Sequence, residues 1–304
     1  MSQTPMPIFV STKWLAEHLE DENLMIVEAS VLFNRSSAPT LQSAKAAYQQ
    51  AHIPGAHFID LMDVNKMDGA ILFTVDRKHR RMKAALEAAG ATDDTQIVVY
   101  DRGAMGDAPT LHADMWAARF RWQCQLEGIT NVHILDGGLS KWQLEKRPVT
   151  DEVSTVTPGQ LTEQSEQVER YATVEDVRVA SQRDTAGVID ALSPDQYLGQ
   201  VCPFEEERAG HIPNAKNCFF GSLTDPNTGA LLPVDILKKK MEALGFTDSS
   251  QPLITYCGFG IAAAYLAQIL EVIGYHHVAV YDGSLQEWAL ETNEPLAKED
   301  VNER

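Results

Sequence analysis

The stretch PLITYCGFG, residues 252–260, decides how this chain is read. Leu253 to Tyr256 are mostly apolar and β-branched, the composition of a short strand buried on both faces. Cys257 ends that run, and Gly258 and Gly260 follow it. The next residues, IAAAYLAQILEVIG (261–274), repeat apolar side chains near helical spacing, with Gly274 where a C-terminal cap is wanted. Strand, glycine loop and helix in that order put the cysteine at the carboxyl end of a strand, where open parallel sheets gather their ligands. The glycines admit backbone conformations closed to other residues. The loop amides and the helix dipole then converge on one point and favour an anion there. A thiolate is both an anion and the nucleophilic form of cysteine.

The pattern occurs twice. AHIPGAHFIDL (51–61), QIVVYDRG (96–103) and NVHILDGGLSKW (131–142) are matched in order by GHIPNAKNCFF (210–220), PLITYCGFG and HVAVYDGSLQEW (277–288). Two copies fit 304 residues, and a solenoid would need at least three. In each copy short apolar runs (IVVYD, VHILD; LITYC, VAVYD) alternate with helical stretches such as ADMWAARFRWQ. This predicts an α/β protein of two domains, each a parallel sheet with helices on both faces. The polar stretch TDEVSTVTPGQLTEQSEQVER (150–170) reads as an extended linker, with the boundary near residue 160. The predicted division is 1–150, linker 151–170, and 171–304. At the end of the key strand the first copy has Asp101 where the second has Cys257.

Composition narrows the function. The formal net charge of -18 excludes nucleic acid and anionic membrane as main partners. The N-terminus has no signal-peptide pattern, and no apolar run is long enough to span a bilayer. Cys124, Cys202, Cys218 and Cys257 are widely spaced, without a CxxC pair, so neither a zinc site nor a disulfide framework is predicted. Free thiols point to a reducing, cytoplasmic setting, and no metal or cofactor is called for. His52 and His211 occur in both copies and are expected to shape the HIP turns rather than catalyse. Asp136 and Asp282 are expected to fix the turns that follow them, and Trp142 and Trp288 to be core. His276-His277 lacks the company a metal needs. Lys238 to Lys240 read as a solvated helix face.

Together HIPGA, VVYDRG, LDGG..KW, GHIPxA, YCGxG and YDGSxxEW resemble the tandem-domain rhodaneses, the thiosulfate and mercaptopyruvate sulfurtransferases, from about Val10 to Trp288. The resemblance implies a catalytically silent first domain and a second domain in which Cys257 carries sulfur as a persulfide. It implies that Gly258, Phe259, Gly260, Ile261, Ala262 and Ala263 form the persulfide cradle. Sulfane sulfur would pass from a small donor to cyanide or a thiol acceptor, such as a small thiol or a thioredoxin-like protein. Two features depart from the family. Gly258 and Phe259 stand where thiosulfate-type members carry basic residues, and Phe259 and Ala262 replace hydroxyl residues of the mercaptopyruvate type. The two arginines that hold the carboxylate in that type would fall near Gln196-Tyr197 and Pro203-Phe204, where there are none. Arg208 is the candidate to replace them at a different spacing, since carboxylate recognition favours a guanidinium fork. One alternative is a rhodanese-fold module that binds sulfur or a partner with little turnover. A cysteine-dependent phosphatase or arsenate reductase is disfavoured, because the loop continues without the arginine that such chemistry needs.

Overall fold

The computed structural model describes residues 6–34, 40–105, 108–183, 185–202, 208–290 and 294–298. They form two compact units: residues 1–66, 75–167 and 224–231 make the first, and 67–74, 168–223 and 232–304 the second.

The first unit is built on a five-stranded sheet of β1 (Phe9–Val10), β2 (Leu24–Glu28), β3 (Ala56–Phe58), β4 (Gln96–Tyr100) and β5 (Val132–Leu135). The order is β1-β5-β4-β2-β3 and every pair is parallel. The helices are α1 (Thr12–Glu17), α2 (Lys45–Gln50), α3 (Leu61–Val64), α4 (Arg81–Ala88), α5 (Met115–Leu126) and α6 (Gly138–Leu144). Side chains alternate along a strand, so Val98 and Tyr100 of β4 join Ile26, Leu15, Tyr48 and Trp142 in one cluster. Ile97 and Val99, also fully buried, face the other way. Strands covered on both sides explain why these runs read as unbroken apolar stretches.

The second unit repeats this plan. Its sheet is β6 (Tyr171–Ala172), β7 (Gly187–Asp190), β8 (Lys216–Asn217), β9 (Leu253–Tyr256) and β10 (Val278–Tyr281). The order β6-β10-β9-β7-β8 is that of the first unit, and again every pair is parallel. Its helices are α7 (Val174–Arg183), α8 (Pro194–Tyr197), α9 (Val234–Ala243), α10 (Ile261–Val272) and α11 (Ser284–Leu290). Gly274 has φ 103° directly after the α10 C-cap, as the sequence requires.

Residues 151–167 contain no regular element. They run along the first unit: Gly159 N–H donates to the Glu87 carbonyl, Thr162 to the Asp93 carboxylate and Gln167 N–H to the Leu126 carbonyl. Each unit also includes a short segment from the other half of the sequence, 224–231 in the first and 67–74 in the second. Asp136 accepts the Leu231 N–H at 2.7 Å, so it holds a distant segment rather than only the turn that follows it.

Candidate active site

Cys257 lies directly after β9, 3% exposed, and α10 begins four residues later. The backbone around it is held from several sides. Ala191 N–H donates to the Tyr256 carbonyl at 2.9 Å, Leu285 N–H to the Cys257 carbonyl at 2.9 Å, and Gln286 N–H to the Gly258 carbonyl at 3.2 Å. The Cys257 N–H donates to Ser284 Oγ at 3.2 Å, and that hydroxyl donates to the Tyr281 carbonyl at 2.8 Å. Thr255 Oγ1 donates to the Ala263 carbonyl at 3.0 Å, tying the first turn of α10 back to the strand. The first N–H groups of α11 have no partner in their own helix, and the cysteine loop supplies acceptors for two of them. In a planar trans peptide the N–H points opposite to the preceding C=O. Pinning the carbonyls of Cys257 and Gly258 on α11 therefore turns the N–H groups of Gly258 and Phe259 the other way. Gly260, at φ 75°, makes the turn into α10.

The first unit shows what such a backbone does. Leu139 N–H donates to the Asp101 carbonyl at 2.8 Å, as Leu285 does to Cys257. Ser140 Oγ donates to the Arg102 carbonyl, which stands where Gly258 stands in the second unit. The Gly103 N–H then turns inward and donates to Asp101 Oδ1 at 2.7 Å. Trp116 and Ala117, in the first turn of α5, donate to Oδ2 at 2.8 and 3.1 Å. A carboxylate thus occupies the point at which β4, its loop and the α5 N-terminus converge. A small cavity of about 30 Å³, lined in part by Ser30, Asp101, Arg102, Gly103 and Trp116, lies beside it. Burial pushes the Asp101 and Asp114 carboxyls up together. Asp101 receives three amide bonds and Asp114 one, from Gly137, with Oδ1 of Asp114 left without a partner among the described residues. Asp101 is accordingly the member of the pair that keeps its charge.

Beside the cysteine lies a buried acid that the sequence reading passed over. Asp190 ends β7 and pairs in register with Tyr256. Its Oδ1 accepts the Leu192 N–H at 2.7 Å, and its Oδ2 is buried without a well-formed hydrogen bond among the described residues. Burial pushes its pKa up to about 7, against the lowering effect of the Leu192 N–H and the Tyr256 hydroxyl. The first unit has Glu28 in this place. Tyr100 and Ser30 donate hydroxyls to it, and Arg102 pairs with it at 2.9 Å. With Gly258 in place of Arg102, Asp190 has no such cation among the described residues.

The other sequence-derived candidates divide. Ile261, Ala262 and Ala263 form the first turn of α10 and are buried, while Phe259 is half-buried. Arg208 lies beside the C-terminal end of α11. Its Nε donates to the Ala289 carbonyl and its Nη2 to the carbonyls of Trp288 and Glu294. Gln196, near the first expected arginine, belongs to the capping box of α8, and Pro203-Phe204 lie outside the described residues. His52 and His211 shape turns as twins: their Nδ1 atoms face the carbonyls of Tyr48 and Tyr197 at 2.7 Å, and each ring stacks on that tyrosine. Trp142 and Trp288 are at most 1% exposed, with Nε1 donating to the carbonyls of Pro148 and Pro295. Burial pushes the Cys124 thiol well up and the Cys218 thiol to about 11, which disfavours both as nucleophiles. Among the described residues no group of His, Cys, Asp and Glu could hold a metal, and no helix is long and apolar enough to cross a membrane.

Ser284 and Gln286 were missed by the sequence reading. Ser284 has φ 51° and is fully buried, a left-handed conformation that Gly138 adopts at φ 53° in the first unit. A non-glycine residue there costs on the order of 1 kcal/mol, and its hydroxyl holds the cysteine backbone. The DGG/DGS mismatch between the copies was the available signal.

Comparison with known proteins places these features. The model of the rhodanese-like domain matches residues 11–145 and 173–291. The sulfur carrier protein TtuD of Thermus thermophilus is 29% identical over 301 residues, covering 96% of each chain. The 3-mercaptopyruvate sulfurtransferase of Escherichia coli is 29% identical over 291 residues, covering 95% of this chain and 97% of its own. Among solved structures, the crystal structure of SseA from Escherichia coli, described as a 3-mercaptopyruvate sulfotransferase, superposes with a TM-score of 0.75 at 27% identity. It covers 92% of this chain and 99% of its own.

Proposed function

The chain belongs to the rhodanese-like domain family and is a sulfurtransferase, and from that premise we propose that Cys257 carries its sulfur as a persulfide. The Cys257 thiolate attacks the sulfane sulfur of a donor. The new S–S bond forms as the donor's bond to that sulfur breaks, and its electron pair leaves with sulfite or with the enolate of pyruvate. An acceptor thiolate then attacks the outer sulfur and the Cys257 thiolate departs. Gly258, Phe259, Gly260, Ile261, Ala262 and Ala263 supply the amides that hold the anion at each stage. The observation that carries this reading is the first unit, where the matching backbone holds the Asp101 carboxylate with three N–H groups. A carboxylate cannot carry sulfane sulfur, so the first unit is read as silent. Intact mass after exposure to thiosulfate, and separately to mercaptopyruvate, tests the proposal. One added sulfur is expected in the wild type and none in Cys257→Ser, with circular dichroism unchanged. Retention of most transfer by the serine variant would sink the assignment.

A second reading, a sulfur carrier with little turnover on small donors, is favoured by the bonding of Arg208 to three carbonyls. It predicts that a protein persulfide loads Cys257 faster than thiosulfate or mercaptopyruvate does. A small-thiol or thioredoxin-like acceptor and a cytoplasmic site fit both readings.

A further inference from the structure

Gln286 makes two kinds of contact at once. Its main-chain N–H donates to the Gly258 carbonyl at 3.2 Å. Its side chain, on a residue 7% exposed, holds both backbone groups of one distant residue: Oε1 accepts the Leu72 N–H at 3.0 Å, and Nε2 donates to the Leu72 carbonyl at 2.8 Å. Leu72 belongs to residues 67–74, the segment that joins the second unit from the first half of the sequence. The next residue, Phe73, is fully buried at φ 59°. A bulky side chain in left-handed backbone is rare and persists only where its surroundings fix it. The first unit handles the same two tasks with two residues: Ser140 holds the Arg102 carbonyl, and Asp136 takes the Leu231 N–H.

Resting on the Cys257 reading, we propose that Gln286 is a positioning residue that couples the set of the cysteine cradle to residues 67–74. The physical link is the peptide between Gly258 and Phe259. Its carbonyl is held by the Gln286 N–H, so the position of residue 286 fixes where the Phe259 N–H points. The position of residue 286 is in turn fixed by two hydrogen bonds to Leu72. The amide side chain fits because it offers one acceptor and one donor to one N–H and one C=O. Loosening that pair leaves the α11 backbone intact but removes the fixed aim of an amide toward sulfur. The Leu72 side chain is 41% exposed, so only its backbone takes part.

The test uses the full chain as wild type, Gln286→Ala, Gln286→Glu and Leu72→Ala. The initial rate of sulfur uptake on Cys257 is read by intact mass, with thiosulfate and mercaptopyruvate as donors. Amide exchange of the peptide covering 67–74 is read in parallel. Gln286→Ala is expected to exchange faster at 67–74 and to take up sulfur about tenfold more slowly, while Leu72→Ala matches the wild type in both. Gln286→Glu is expected to behave like the alanine variant at about pH 8. Its rate relative to wild type should recover toward about pH 5, because the protonated carboxyl again offers one donor and one acceptor. This recovery separates positioning from loss of fold, should the alanine variant not fold. Faster exchange at 67–74 with unchanged uptake overturns the coupling, as does slower uptake with unchanged exchange, or a Gln286→Glu ratio that does not move with pH. A wild type that gains no sulfur on Cys257 overturns the reading beneath it, while the exchange data still report the clamp by themselves.

Discussion

At position 190 a carboxyl group is fully buried next to Tyr256 without a cation among the described residues, and the consequence is a pH dependence of stability. Its folded pKa of about 7 lies above the unfolded value. The native state therefore binds more protons than the unfolded chain between about pH 4 and 7. Stability falls as pH rises through that window and is level above it, as far as this group is concerned. Asp190→Asn keeps an acceptor for the Leu192 N–H and removes the ionisation. It should gain stability over wild type progressively from about pH 4, reaching on the order of a few kcal/mol above neutrality. Urea denaturation at several pH values checks this, and a difference independent of pH would contradict it. Phe259 carries a second residue-scale prediction. A phenyl ring at the loop offers neither charge nor hydroxyl, so Phe259→Lys should raise thiosulfate turnover and Phe259→Ser should favour mercaptopyruvate. A restored charge-assisted contact is worth about 1.5–3 kcal/mol, roughly tenfold or more. Steady-state kinetics of both variants on both donors decide it, and an unchanged preference returns attention to the missing arginines.

Helix α10 has a glycine at each end with left-handed backbone, Gly260 at φ 75° and Gly274 at φ 103°. Replacing either by alanine should cost about 1 kcal/mol of stability. Only the first precedes the turn proposed to cradle the Cys257 sulfur, so Gly260→Ala should also slow sulfur uptake several-fold while Gly274→Ala leaves it unchanged. Thermal melts with mass-detected uptake separate the two. Helix and strand β9 were legible in the sequence because local chemistry sets them: a β-branched run, two loop glycines and a capping glycine, all within residues 252–274. The place of Cys257 at the end of β9 was legible with them, and the duplication set Asp101 opposite it. Ser284, Gln286 and Asp190 were not, since what each does depends on a partner far along the chain: Cys257, Leu72 and Tyr256 respectively. Spacing to the HIP turn likewise says nothing of the carbonyls at the end of α11 to which Arg208 donates.

For the whole molecule, the internal repeat predicted two sheets of one topology, and both have the same strand order. It did not predict that residues 67–74 and 224–231 would each belong to the unit of the other half. Nothing in MDGAILFT or TDPNTGAL marks them as exchanged, since the capture depends on backbone groups taken by Gln286 and Asp136. A fragment of residues 1–155 should show no sulfur transfer and reduced stability, because it lacks 224–231 and also Gly159 to Gln167, which bond Glu87, Asp93 and Leu126 of the first unit. Extending it to residue 167 should recover part of that loss. Chemical denaturation and a transfer assay on both fragments test this, and equal stability of the two would contradict it. The exchange also bears on biosynthesis. On the ribosome the first unit is short of one piece until residue 231 has emerged, roughly 60 residues after residue 167. At about 5–20 residues per second that wait lasts some 3–12 s. During it the Asp136 carboxylate has no Leu231 to hold, and the half-made protein presents an unfilled socket to chaperones or to the same segment of a neighbouring nascent chain.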